Sequence, residues 1–382
     1  MDFLTISLAV TAADTFIIRD NCFDGWTRNI NLFVSLNNPA IWKKNKPLLE
    51  KALQFLSGDV WNFNFKGDGP KPPQPFKAVN GRKLINLEGL DCVSLFSGGL
   101  DSAIGVIDFL SSGRKPLLIS HSYKGDKTKQ DQIAHKIREK GTFSRLRSSA
   151  NPIGRGMTRD ITMRTRSLNF LAFALVGAYA VKQINNHKDL SIFVPENGFI
   201  SLNAPLTHRR VGSLSTRTTH PYFIEMIQEL FNNLGFGVRL INPYQFMTKG
   251  QMVSNCKDSK MLSEIVDLTV SCSHWKRKNQ QCGYCVPCMI RRAALMKGTL
   301  KESISYHHAS YPTLRDFVKN KQDGRDDVIA VSVALDKSKK INLKSWVLKS
   351  GKLKFEDLDK YEQVFSDGLL EVEDFLKKEK VI

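Results

Sequence analysis

Several things are scarce in this chain of 382 residues, and each scarcity removes a class of protein. No apolar stretch reaches the about 20 residues of a membrane span. The longest, Phe170 to Val181, is broken only by small or aromatic residues and reads as a buried helix. The start, MDFLTISLAV, lacks a basic flank and a small-residue cleavage site, so no signal peptide is expected. A cytoplasmic protein with no membrane partner is the resulting expectation. Cysteine is sparse and odd in number: seven, four of them between positions 272 and 288, which excludes a fully paired disulfide framework. Acidic residues are in deficit, 37 against 56 Lys and Arg, for a formal net charge of +19. That charge suits nucleotides, nucleic acid or an acidic protein surface. The basic residues are scattered without a block of like charge, so a solvated basic surface around a nucleotide site accounts for them and nucleic acid is not required. There is no internal repeat and no Gly-Lys-Ser/Thr phosphate motif.

What is present falls into three parts. Residues 1–88 read as a β-rich N-terminal extension, with strand character at Phe3–Val10, Thr15–Arg19 and Asn31–Leu36 and a helix at Lys46–Leu56. The Gly/Pro-rich GDGPKPPQP at 67–75 suits a loop or boundary. Residues 89–300 alternate strands and helices: strands at Asp91–Phe96, Pro116–His121, Phe143–Ser148, Ser191–Val194 and Gly237–Ile241, helices at Asp101–Ser111, Lys127–Lys140, Arg164–Gln183 and Pro221–Leu234. This is an α/β pattern, a parallel sheet flanked by helices on both faces. Residues 301–382 form a polar C-terminal tail with a final helix at Leu369–Lys378.

Two motifs carry chemistry. Ser97-Gly98-Gly99-Leu100-Asp101-Ser102 follows a strand that ends at Phe96 and opens a helix. Glycines let phosphate oxygens approach backbone amides, and the helix N-terminus adds unpaired N–H donors. Ser97 and Ser102 offer hydroxyl donors, and Asp101, at an exposed turn, can cap the helix or hold Mg²⁺. The second motif is Cys272, Cys282, Cys285 and Cys288. Two-residue spacings let thiolates converge on one tetrahedral ion, and Gly283 permits a tight knuckle. Four thiolates leave no open position, so Zn²⁺ there is expected to be structural.

Together, SGGLDS and CSHWKRKNQQCGYCVPCMIRRAAL resemble the 7-cyano-7-deazaguanine synthase (QueC) family of the PP-loop ATP pyrophosphatase superfamily, over residues 90–300. RTRSLNFLAFALVGAYA at 164–180 is similar to that family's arginine- and asparagine-containing helix. The resemblance implies an adenine nucleotide alpha-hydrolase/HUP-like fold. It also implies an ATP-dependent, AMP- and diphosphate-forming ligase that adenylates a carboxyl or amide of a 7-deazaguanine-type substrate. Phe96, Ser97, Gly98, Gly99, Leu100, Asp101, Ser102 and His121 would then border ATP and Mg²⁺. Asp101, Arg164 and Arg166 would be catalytic, and Asn197, Thr218, Thr219 and His220 would line the acceptor side. The segments ENGFISLNAP and SLSTRTTHP, with the added extension and tail, look instead like the QueC-like proteins of Qat anti-phage defence systems (QatC). That likeness implies attachment of the activated group to a partner protein of a defence operon. Trp26, Trp42 and Trp61, near Arg28, Lys43 and Lys44, are expected either to anchor a docked partner or to fill a small β-domain core. A tRNA-modifying PP-loop enzyme and a non-catalytic scaffold of a defence complex are the competing readings.

Overall fold

The computed structural model describes residues 1–71, 84–121, 126–160, 164–206, 217–275 and 279–382. Ser122 and parts of the 67–75 and 213–221 segments lie outside them.

The chain opens on a helix, α1 (Asp2–Phe16), where the sequence suggests strands. Phe3, Ile6, Val10 and Ala13 are buried at three- and four-residue spacings, while Thr11 and Asp14 on the same helix meet polar partners. A short apolar run does not distinguish helix from strand, and here helical spacing wins. Strand β1 (Asn29–Ser35), helix α2 (Pro39–Ser57) and strand β2 (Val60–Lys66) follow, and the strands pair in parallel. The expected β-rich extension is thus a mixed β-α-β unit with a leading helix. Trp42 and Trp61 fill its core at 2% and 3% exposure, so two of the three expected docking tryptophans are packing residues.

Strands β3 (Cys92–Leu95), β4 (Pro116–His121), β5 (Ser144–Ser148), β6 (Leu190–Phe193) and β7 (Val238–Ile241) form one parallel sheet in the order β5-β4-β3-β6-β7. Helix α3 (Leu100–Ser111) follows β3, α4 (Asp126–Ile137) follows β4 and α5 (Arg166–Asn185) precedes β6. The short α6 (Gly198–Ser201) and α7 (Pro221–Asn233) lie between β6 and β7. The winding reverses between β3 and β6, which leaves a crevice beyond their carboxyl ends.

Alternate strand residues supply two cores. Val93, Leu95, Leu117, Ile119 and Ile192 join α5 and α7 on one face, and that core runs on into α1, α2, β1 and β2. Phe96 and Leu118 join α3 and α4 on the other, with α8 (Lys249–Ser254), α9 (Ser259–Ile265) and α10 (Val286–Lys297). Helix α5 is apolar and long enough, by length and composition alone, to cross a membrane. In the structure it packs between the sheet and α1.

The tail is more ordered than its polarity suggests. Helices α11 (Leu314–Lys319), α12 (Arg325–Ser338), α13 (Leu343–Leu348) and α14 (Leu358–Lys378) build a third core with α6 and α10. The last helix starts eleven residues before the expected Leu369, because Tyr361, Val364, Phe365, Leu369 and Val372 continue one buried stripe.

A buried ionic cluster ties the N-terminal unit to the sheet domain. Arg19 grips Asp59 with two bonds of 2.7 and 2.8 Å, Arg28 reaches Asp59 at 2.7 Å, and Asp14 accepts from Thr165 ahead of α5. Burial alone would raise the Asp59 pKa, but hydrogen bonds from Arg28 and Arg19 hold it below 3.8. Asp59 therefore stabilises the fold above the unfolded carboxyl pKa, and that contribution is lost as pH falls through its lower folded value. Arg28→Ala leaves two buried carboxylates short of a partner. It is expected to cost about 3–5 kcal/mol in urea unfolding at pH 7 and less at pH 3, because what Arg28 contributes through Asp59 fades as pH falls toward the lowered folded value. An equal cost at both pH values would contradict this assignment.

Candidate nucleotide site and metal centre

The glycine loop sits at the sheet's reversal point. Phe96 is fully buried and its N–H donates to Ile119 O at 2.7 Å, which fixes where β3 ends. The chain then turns at Gly98, whose φ of +82° suits glycine. A Cβ there would lie 2.9 Å from Gln130 Cγ. Two segments hold the turn from outside: Gln130 Nε2 donates to Ser97 O at 2.9 Å, and Val270 N donates to Gly98 O at 3.2 Å. Ser97 and Ser102 hydroxyls lie 3.1 Å apart, and Ser102 donates to Gly99 O at 3.0 Å. Helix α3 begins at Gly99 with no side-chain cap, so its first N–H groups remain available to an anion. Leu100, like Phe96, anchors the loop through the core rather than facing a ligand.

Asp101 is not at an exposed turn. It is 4% exposed, and both carboxylate oxygens are engaged. Oδ2 accepts from Asn197 N at 3.0 Å and Asn197 Nδ2 at 2.6 Å, while Oδ1 pairs with Lys249 Nζ. Burial opposes its ionisation, but Lys249 and these hydrogen bonds win, and its pKa falls to about 2. Both oxygens are therefore already partnered, and Mg²⁺ would have to share Asp101 with Lys249. Half-buried Glu196 adds its carboxyl to the group, and burial beside the Asp101 charge holds its pKa well above 4.5. Its Oε1 accepts from Asn197 Nδ2 at 3.3 Å.

The expected catalytic arginines divide. Arg164 turns away from the loop: Nη1 donates to Ser57 O at 2.9 Å and its guanidinium lies 3.9 Å from the Trp26 ring centroid. Burial, with Arg19 nearby, lowers its pKa to about 10. Its role is to fasten the N-terminal unit. Arg166 stays at the carboxyl end of β4 and donates to His121 O at 3.2 Å. His121 is fully buried between Phe170 and Phe173, and its Nε2 accepts from Ala150 N at 3.2 Å. It belongs to the wall of the fold. His220, expected on the acceptor side, caps α7 by accepting from Tyr222 N at 3.1 Å, and burial lowers its pKa to about 3. Thr218 and Thr219 lie in the short helical turn before it.

Lys249 and Gln130 went unnoticed in the sequence. The signal for Lys249 was local: Thr248 and Gln251 make a capping box, with bonds of 3.0 and 2.8 Å, that marks a helix start beside the lysine.

The four cysteines converge as expected. Their sulfurs all lie within 4.8 Å of one another. Cys282 and Cys288 are 3.9 Å apart, Cys272 and Cys285 4.0 Å. A tetrahedral zinc with about 2.3 Å bonds spaces its sulfurs by about 3.8 Å. Amides of His274, Cys282 and Cys285 donate to the sulfurs at 3.3 Å, which favours thiolates. The donor set fits structural zinc and leaves no place for a reacting ligand. The knuckle also serves the loop. Gln281, beside Cys282, bonds Thr269 O at 3.2 Å and Ser271 N at 3.1 Å, and so holds Val270 against Gly98. A cavity of about 210 Å³ opens alongside, lined by Lys129, Thr269, Val270, Trp275, Asn279 and Gln281 among others.

A glycine turn at the reversal of a parallel sheet, backed by a four-cysteine centre, is the arrangement the α/β domain presents. Residues 218–299, from the start of α7 through Lys249 and the cysteines to α10, match the family described as Queuosine biosynthesis protein QueC. No curated protein matches the chain. The match supports a QueC-like, nucleotide-using enzyme of the ATP-dependent synthase or ligase kind.

Purified protein is expected to carry one equivalent of tightly held zinc by elemental analysis. Cys285→Ser is expected to lower folding yield more than nucleotide affinity. A zinc-free preparation that is folded would count against the centre. Asp101→Ala strands the Lys249 ammonium in the interior and is expected to cost about 3–5 kcal/mol, well above the ~1 kcal/mol of a lost helix cap. Chemical denaturation separates the two.

Proposed function

We propose that this is a cytoplasmic PP-loop enzyme that binds ATP at Ser97–Ser102, releases diphosphate there and adenylates a carboxyl or amide of a 7-deazaguanine-type substrate. The observation that carries the reading is the uncapped start of α3 behind Gly98, set at the reversal of a parallel sheet whose later segments match the QueC family. Ser97 and Ser102 supply hydroxyls to the phosphates, and the amides of the first turn supply the remaining donors. Lys249, paired with Asp101, brings a cation to the start of α3. Glu196 adds a second carboxyl at the same place. The cavity beside Val270 is the candidate acceptor space: Trp275 offers a flat ring and Asn279 an amide.

The enzyme is further proposed to act in anti-phage defence, with the activated group passing to an amine of a partner protein. The added N-terminal unit and helical tail favour a role beyond that of a compact biosynthetic enzyme. Sulfur transfer to tRNA fits less well. Among the described residues, the cysteines outside the knuckle are isolated, and burial pushes Cys256 up to about 12.

ATP is expected to raise the melting temperature of the wild-type protein, as any ligand of the native state does. Gly98→Ala, which forces a side chain into the positive-φ turn against Gln130, is expected to abolish that shift while the unliganded protein stays folded. An ATP shift that survives the substitution would place the nucleotide elsewhere.

A further inference from the structure

The family match ends at 299, yet the tail reaches back to the centre of the site. Helix α14 lies against both segments that meet Asp101. Glu371, buried at 8% exposure, points at the start of α8: Thr248 Oγ1 bonds its Oε1, and Gly250 N donates to its Oε2 at 3.2 Å. These are the residues on either side of Lys249. One turn earlier, Asp367 accepts from Gln251 Nε2 at 3.1 Å. The approach is close enough that a Cβ on Gly250 would fall 2.4 Å from a Glu371 oxygen. On the other segment, Phe199 follows Asn197-Gly198 and packs on Phe365 of α14, with ring centroids 5.6 Å apart.

We propose that Glu371 is a positioning residue of the phosphate-loop site. By accepting from both neighbours of Lys249, its carboxylate fixes the first turn of α8, and the lysine ammonium is thereby held on Asp101 at the sheet's reversal. The tail beyond the matched region is thus a working part of the site. A helix of six residues is marginal alone even with its capping box, so the carboxylate supplied from α14 adds to what decides where Lys249 sits. The consequence for ATP chemistry rests on the function proposed above; the consequence for Lys249 does not.

The test therefore reads Lys249 directly. Full-length wild-type protein and the variants Glu371→Ala, Glu371→Gln and Asp367→Ala are labelled briefly with an amine-acylating reagent, and modification of each lysine is quantified by peptide mass spectrometry. Glu373→Ala, which removes partners of Lys339 and Lys377 on the same helix, controls for loosening of α14 itself. Wild-type Lys249, buried and ion-paired, is expected to resist labelling. Folded Glu371→Ala is expected to expose it, Glu371→Gln to expose it less because one carbonyl oxygen remains, and Glu373→Ala not at all. Release of AMP from ATP is expected to fall about a hundredfold in Glu371→Ala, the effect of a displacement of about 1 Å, with KM for ATP changed less. If Glu371→Ala does not fold, Glu371→Gln and Asp367→Ala decide. Protection of Lys249 equal to wild type in every folded variant overturns the proposal. A wild-type protein that makes no AMP removes the function reading and leaves the labelling result standing.

Discussion

An ionised aspartate buried at the first turn of a helix is tolerated only where its charge is met, and here Lys249 meets it. That carboxylate, with its contacts to Lys249 and Asn197, fixes three pieces of chain at the carboxyl end of the sheet. Asp101 brings the start of α3, Asn197 brings the loop after β6, and Lys249 brings the start of α8. The glycine loop lies immediately before Asp101, so its shape follows from the same contact. Water is excluded from the pair, and each bond is therefore stronger than it would be at a surface.

Two outlying structures stiffen this centre from opposite directions. The four-cysteine knuckle presses the chain around Val270 against the Gly98 carbonyl. The tail helix α14 grips the turns on either side of Lys249. Neither contributes an atom to the surface proposed to bind phosphate. Both reduce the freedom of the backbone amides that do, and such preorganisation is how a polar site gains strength at the moment of reaction. The buried Arg19–Arg28–Asp59 cluster acts likewise at longer range, by joining the N-terminal unit to α5 through Asp14 and Thr165.

The sheet domain was largely legible in the sequence. Each of its five strands and the helices around α3, α4, α5 and α7 fall within a few residues of the expected positions, because buried parallel strands and amphipathic helices alternate there with clear breaks. The four cysteines were legible for the same kind of reason, since ligand spacing is a local property. The N-terminal unit was legible only in part: the strand expected at Asn31–Leu36 and the helix expected at Lys46–Leu56 are β1 and α2, whereas α1 and β2 were missed. Phe3–Val10 is apolar on too many sides to declare its period, although Trp61-Asn62-Phe63-Asn64-Phe65 alternates plainly and was passed over. The partners of Asp101 were not legible either, because Asn197 and Lys249 lie 96 and 148 residues away. Motif reading gives an aspartate a role from its neighbours in sequence, whereas burial and a distant lysine decide its charge. Arg164 illustrates the converse: it sits beside the helix expected to face phosphate, yet its side chain is taken by Ser57 and Trp26.

The central claim is that the glycine loop holds the outer phosphates of ATP while the bond between the α- and β-phosphates is broken. Phosphorus NMR of ATP incubated with the zinc-loaded protein, magnesium, a 7-carboxy-7-deazaguanine acceptor and ammonium as the nucleophile that displaces AMP reads this directly. The account predicts AMP and pyrophosphate in equal amounts, dependent on the acceptor. Accumulation of ADP and orthophosphate in their place would contradict it.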